Sequence, residues 1–177
     1  MKLGSGAKKM IKIEATREQL SAATLVAQNV ELQSVRLKKS RFLNHLLSEN
    51  RVPSKIRLNL KISKGRHIIT ADHTLEVVAG VNVRGFAEEE SSEKTKTTPV
   101  CLEIDIEYAL EFKIPSGEIP KELKEKGFSS FARFNGLYIS WPYFRQHIHY
   151  LCLQADIRGV SLPVLMVSAK IGAKANK

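Results

Sequence analysis

The chain has two cysteines in 177 residues, Cys101 and Cys152, and a single pair builds no disulfide framework. No apolar run approaches the roughly 18 residues that span a bilayer, so membrane insertion is not expected. There is no GxGxxG, no P-loop, no GxSxG and no HExxH. The glycine loops that cradle phosphates and the elbows that expose a nucleophile are therefore missing, and nothing in the residues argues for an enzyme or a cofactor. Acidic residues are absent from positions 1–12 and 170–177. The N-terminal MKLGSGAKKMIKI carries charge with no apolar run behind it, which does not read as a secretory signal. A soluble, cytoplasmic protein is the expectation.

What is present is the composition of an ordinary globular domain, 43% hydrophobic and 26% charged. The length suits one domain with a real core. The net charge of +10 matters less for its size than for its placement. Lys2, Lys8, Lys9 and Lys12 at one end and Lys170, Lys174 and Lys177 at the other supply seven of the ten, leaving +3 between them. The expected organisation is a flexible basic arm over 1–15, a single domain over 16–169 and a flexible basic tail over 170–177. Such arms suit a nucleic-acid-binding module as the alternative function, and solubilising tails as the plainer one.

Periodicity places strands first and helices after. TREQLSAATLVAQ (16–28) reads as a short helix capped by Thr16. In the strand that follows, Val30 and Leu32 share one parity and Val35 and Leu37 the other, so a bulge is predicted near Gln33–Ser34. Residues 43–54 form an unusually apolar connection. KIRLNLKIS (55–63) alternates strictly, HTLEVVAGVNVRGF (73–86) gives a third strand, and residues 87–98 a polar hairpin connection. From Val100 to Ile114, eight apolar residues alternate against Glu103, Asp105, Glu107 and Glu111, so one face buries and the other meets water. Phe128, Phe131 and Phe134, at i, i+3 and i+6, make an aromatic helix face that Asn135–Gly136 interrupts. A second helix is expected from about Ser140 to Ala155. The fold class is α+β: a four-stranded antiparallel sheet of Greek-key type, covered on one face by helices.

The stretch GLYISWPYFRQHIHYLCLQADIRG (136–159) invites a chemical reading. With Ser140 as cap, Pro142 falls in a first helical turn, where its missing N–H costs nothing. His147 and His149 are two apart and point some 200° apart on a helix, so they cannot chelate together. His149 and Cys152 share a face, but no second ligand pair and no orienting third residue accompany them, so neither a metal site nor a Cys–His nucleophile is expected. The surplus of apolar side chains in the 43–54 connection and in residues 160–167 points instead to oligomer contacts or a groove for apolar partners.

The order of strands, the long connection after the first, the string Trp141-Pro142-Tyr143-Phe144-Arg145 and the closing Leu162-Pro163 resemble the SecB export chaperones over residues 28–167. The resemblance implies a SecB-like, ATP-independent holdase, a homotetramer built as a dimer of dimers, whose clients are unfolded polypeptides held in long apolar grooves. By position it places Phe42, Leu43, Leu46, Leu47 and Val52 in that groove, with Phe112, Phe128 and Val164 as walls. It puts the tetramer interface on the second helix, at Trp141, Tyr143, Phe144, Ile148, Leu151 and Cys152. A holdase needs reversible, non-directional apolar burial and no catalytic group.

Export members of the family dock the SecA motor ATPase through acidic residues on the exposed sheet face. Glu103 and Asp105 are the matching carboxylates here, whereas Ser34 and Lys38 stand at first-strand positions that are acidic in those members. A second branch, SecB-like chaperones that guard an antitoxin in toxin–antitoxin systems, has a helix before the first strand, as residues 16–28 do. Preproteins or one antitoxin are therefore both open as clients.

Overall fold

The computed structural model describes residues 10–46, 55–63, 65–70, 72–88, 100–115, 125–157 and 160–169. Elements follow in the order β1 (Ile11–Ala15), α1 (Arg17–Ala27), β2 (Glu31–Asn44), β3 (Lys55–Ile62), β4 (Arg66–Ile69), β5 (Thr74–Glu88) and β6 (Val100–Lys113). Then come α2 (Glu125–Phe131), a π turn (Ala132–Gly136), α3 (Leu137–Gln154) and β7 (Leu165–Ala169).

The main sheet is antiparallel, ordered β2-β6-β5-β3, with β4 also on β5. Three hairpin-connected columns and a first strand returned beside the last make the expected Greek-key order. It has five strands, not four. β3 and β4 lie along the same side of β5 and are one column broken at residues 63–65, where the Ser63 N–H donates to the Gly80 carbonyl at 2.9 Å. The break sits beneath the helical layer: a Cβ on Gly65 would stand 2.4 Å from the Ala132 carbonyl oxygen, so only glycine lets the backbones approach.

Residues 11–15 were expected in a flexible arm, but they form β1, a parallel partner of β7 from Ile11↔Leu165 to Ala15↔Ala169. After it, Thr16 caps α1 reciprocally. Its Oγ accepts from the Gln19 N–H at 3.1 Å, and Gln19 Oε1 accepts from the Thr16 N–H at 3.0 Å. The first nine residues and the tail from Lys170 onward lie outside the described residues.

The alternation of β6 is realised in full, with Leu102, Ile104, Ile106 and Leu110 completely buried. The helical layer covers β5 and β6. Phe144 and Ile148 of α3 are 0% exposed, and Phe131 packs edge-on to Phe112 with ring centroids 5.0 Å apart. Helices α1 and α2 pack together at the other end through Ala23, Val26 and Phe128.

Two expectations about the helices are overturned. Asn135–Gly136 does not interrupt the helix; it closes a π turn, whose extra residue carries α2 into α3 without a break. Glycine is needed at 136 because a Cβ there would lie 2.5 Å from Val77 Cγ1 on β5. Pro142 does not open a helix either, since it stands inside α3. Ser140, expected as its cap, is helical and buried, and its Oγ donates back to the Gly136 carbonyl at 2.7 Å. The proline withholds its N–H from the carbonyl of Tyr138 four residues earlier, one turn beyond the π turn, so the two irregularities sit together.

Candidate functional site

The helical layer stops short of the sheet's margin. Pairing with β6 places Leu32, Val35, Leu37, Ser40 and Phe42 of β2 on the core-facing side. Two register shifts put them there. One, between Leu32 and Ser34, moves the inward row from even to odd positions; the other, between Leu37 and Lys39, moves it back. Yet Leu32 is 45% and Leu37 49% exposed, although they face the same side as side chains of β6 that are fully buried.

Helix α3 borders this margin with Tyr143, His147 and Leu151, four residues apart and so in one row. Tyr108 of β6, directly across from Leu37, joins the two walls. Its ring lies 5.7 Å from that of Tyr143 and edge-on to Phe144 at 5.3 Å. His147 lies over the seam, with Nδ1 3.0 Å from the Tyr108 hydroxyl and Nε2 3.1 Å from Ser40 Oγ. A neutral imidazole offers one donor and one acceptor, and each hydroxyl accepts either role, so both bonds form in either tautomer. Burial pulls the His147 pKa below the ordinary histidine value, and burial, with Tyr143 beside it, raises that of Tyr108. The result is an open apolar strip, Leu32, Leu37, Phe42 and Tyr143, pinned to the helix by one polar bridge.

The residues expected in a groove are dispersed. Phe42 and Leu46 are half-buried against the main core at one end of the margin, Leu46 held by its N–H to Asn44 Oδ1 at 3.0 Å. Leu43 pairs with Glu103 and faces the opposite side of the sheet. Phe112 and Phe128 are core residues, 2% and 3% exposed, and leave no wall to offer. Val164 is exposed in the segment before β7, and Leu47 and Val52 lie outside the described residues. Among the residues expected at an interface, Trp141, Phe144, Ile148 and Cys152 lie in the chain's own core, which withdraws them from any second copy; Tyr143 and Leu151 retain exposed surface. Leu32, Leu37, Tyr108 and His147 were not among the residues expected in a groove, because what brings them together is the pairing of β2 with β6 and the seat of α3, which are tertiary contacts.

Burial pushes the Cys152 thiol up to about 11, which keeps it protonated near neutrality. Among the described residues no group of three His, Cys, Asp or Glu side chains is placed to hold a metal ion. No described helix is long and apolar enough to cross a membrane.

The two strings that carried the family resemblance meet in space: Trp141 Nε1 donates to the Pro163 carbonyl at 3.0 Å. By sequence, the chain matches no protein-family model and no curated protein. By structure it is similar to the Mycobacterium tuberculosis Rv1957 SecB-like chaperone, solved in complex with a ChAD peptide from the Rv1956 HigA1 antitoxin. The TM-score is 0.66 over 84% of this chain and 99% of that one, at 16% identity. The fold is SecB-like.

Within this SecB-like fold the outer sheet face is not an acidic surface. Glu103 pairs with Arg84 and Asp105 with Lys39, so both carboxylates expected to dock a motor are already held by bases of the same chain. Glu107 pairs with Arg66, Glu76 with Lys38, and Glu111 with Arg36. Ser34 donates to Glu111 at 2.7 Å; that bond, with Arg36, holds the carboxyl below its ordinary pKa. Lys38 thus neutralises Glu76 and Ser34 hydrogen-bonds Glu111, so neither extends an acidic patch.

Proposed function

We propose that this protein is an ATP-independent chaperone that holds non-native polypeptide segments on the margin between β2 and α3. The observation that carries this reading is the half-exposed state of Leu32 and Leu37 on the core-facing side of the sheet, beside Tyr143. Apolar side chains kept open at the rim of a folded core bind by water release, weakly per contact and without directional demands. That suits clients with no fixed structure, and it needs no cofactor and no catalytic group.

The SecB-like fold supports the chaperone class, and the antitoxin peptide on the related Rv1957 chaperone supports a dedicated client of that kind. The pairing of Glu103 and Asp105 weighs against docking of the SecA motor through those carboxylates, and so favours the antitoxin-guarding branch over export. The cytoplasm is the matching compartment.

Assembly into a homotetramer belongs to the same proposal, on surfaces other than the buried residues first expected. Helix α3 has one formal charge in 18 residues, Arg145, and its solvent side carries Tyr138 at 62%, Tyr150 at 58% and Leu153 at 54% exposure. Aromatics with few Lys or Glu are the composition of an interface core. Tyr150→Asp combined with Leu153→Asp is expected to lower the native mass from about four chains of 19.8 kDa to a smaller species, read by light scattering; an unchanged mass would place the interface elsewhere. The function itself is tested by co-purification from the source cell, with native mass on the same sample. Recovery of one small antitoxin is expected, and recovery of preproteins with the motor would overturn the preferred branch.

A further inference from the structure

β3 ends the sheet on the side away from β2, so one side of its backbone has no ladder partner among the described strands. Its two rows of side chains differ in kind. Ile56, Leu58, Leu60 and Ile62 face inward and are half-buried against the core, while Arg57, Asn59 and Lys61 face outward and are exposed. A cavity of about 370 Å³ runs along this stretch, lined by Arg57, Leu58, Asn59, Leu60 and Phe86. The Arg57 guanidinium rests 5.6 Å from the centre of the Phe86 ring. Among the described residues no carboxylate is paired with Arg57 or Lys61, whereas Arg84 and Arg66, on neighbouring outer-face positions, both have one.

We propose that the β3 edge is a second binding surface, which takes an extended polypeptide segment with acidic residues four apart and apolar residues between them. The chemistry follows from the ladder. Residues directly opposite in an added antiparallel strand have Cβ atoms about 4.5–5.5 Å apart. Positions facing Arg57 and Lys61 therefore lie four apart and want carboxylates. The position facing Asn59 wants a polar residue, and those facing Leu58 and Leu60 want aliphatic ones. The pattern is acid–apolar–polar–apolar–acid.

Two competing occupants fit less well. A second copy of β3 pairing about Asn59 would set Arg57 opposite Lys61, and like charges directly opposite destabilise a strand pair. A nucleic acid would meet the two cations, some ~13 Å apart along the strand, but would leave the backbone N–H and C=O row unpaired. An extended peptide satisfies both. This surface is independent of the β2–α3 margin, so its failure and that of the holdase reading are separable.

The test is fluorescence anisotropy of the full chain with labelled peptides centred on Glu-Val-Asn-Val-Glu and on Lys-Val-Asn-Val-Lys. The acidic peptide is expected to bind at least tenfold tighter, and the double substitution Arg57→Glu, Lys61→Glu to reverse the preference. Both side chains are exposed, and the gained affinity for the lysine peptide reports a folded variant. Equal binding of the two peptides, or a preference that survives the double substitution, would overturn the proposal. So would a labelled single-stranded oligonucleotide that displaces the acidic peptide and loses binding in that variant.

Discussion

The two sides of β6 on the sheet's inner face are built from the same kinds of residue and end in opposite states. Toward β5, Val77, Val81 and Val83 lie under α3 and the π turn and are 0–2% exposed. Toward β2, Leu32 and Leu37 face the same way and keep nearly half their surface in water. A helix is about 10 Å across and adjacent strands are about 4.8 Å apart, so one helix seated over β5 and β6 cannot also cover β2. The contrast teaches where stability ends and binding begins. Burial toward β5 is spent on folding; the margin along β2 keeps the same apolar chemistry available.

Substitutions should separate the two regions. Phe144→Ala, in the closed half, is expected to cost about 3–5 kcal/mol in chemical denaturation, the usual price of emptying a fully buried aromatic site. Leu37→Ala, in the open half, should cost under about 1 kcal/mol, as exposed substitutions do. Comparable losses at the two sites would erase the distinction.

The polar bridge at the seam sets a smaller, pH-dependent term. His147 binds protons less readily folded than unfolded, because burial penalises the imidazolium. Its contribution is thus intact above the ordinary histidine value and is lost as pH falls through that value toward the lowered folded one. The wild type should lose thermal stability between pH 7 and 5, and His147→Gln should lose less over that interval; parallel curves would remove His147 from the seam's energetics.

The smallest effect is expected on the outer face. Lys39→Ala breaks a half-exposed pair with Asp105, worth 0 to about 1 kcal/mol. Denaturation in low and high salt checks it, and a larger, salt-insensitive loss would mean that the outer pairs do more than neutralise the sheet.

How far this contrast was legible in the sequence depended on whether a residue's partner was near or far. Alternation in β3 and β6, the in-phase apolar residues of β5, the parity slip in β2, the Phe128, Phe131 and Phe134 spacing and the Thr16 cap are local patterns, and they gave strand positions, the helical cover and the first bulge of β2. The β1–β7 pair joins Ile11 to Leu165, and five-residue strands with so distant a partner carry no local signal. The break between β3 and β4 depends on Gly65 lying against Ala132, again a tertiary contact. Pro142 misled because a proline ordinarily marks a helix start, and a π turn upstream cannot be read from spacing. Trp141, Phe144 and Ile148 were legible as an apolar helix face; whether such a face meets the chain's own sheet or a second copy is not written in its periodicity. The apolar margin itself arises from two bulges, of which only the first disturbs the pattern of apolar residues.

The most direct measurement is aggregation of a chemically unfolded client, followed by light scattering without ATP, in the presence of wild type and of Leu37→Asp matched for thermal stability. Suppression by the wild type and its loss in the variant are the expected result. Equal protection by a stably folded Leu37→Asp protein would contradict the assignment of client binding to the β2–α3 margin.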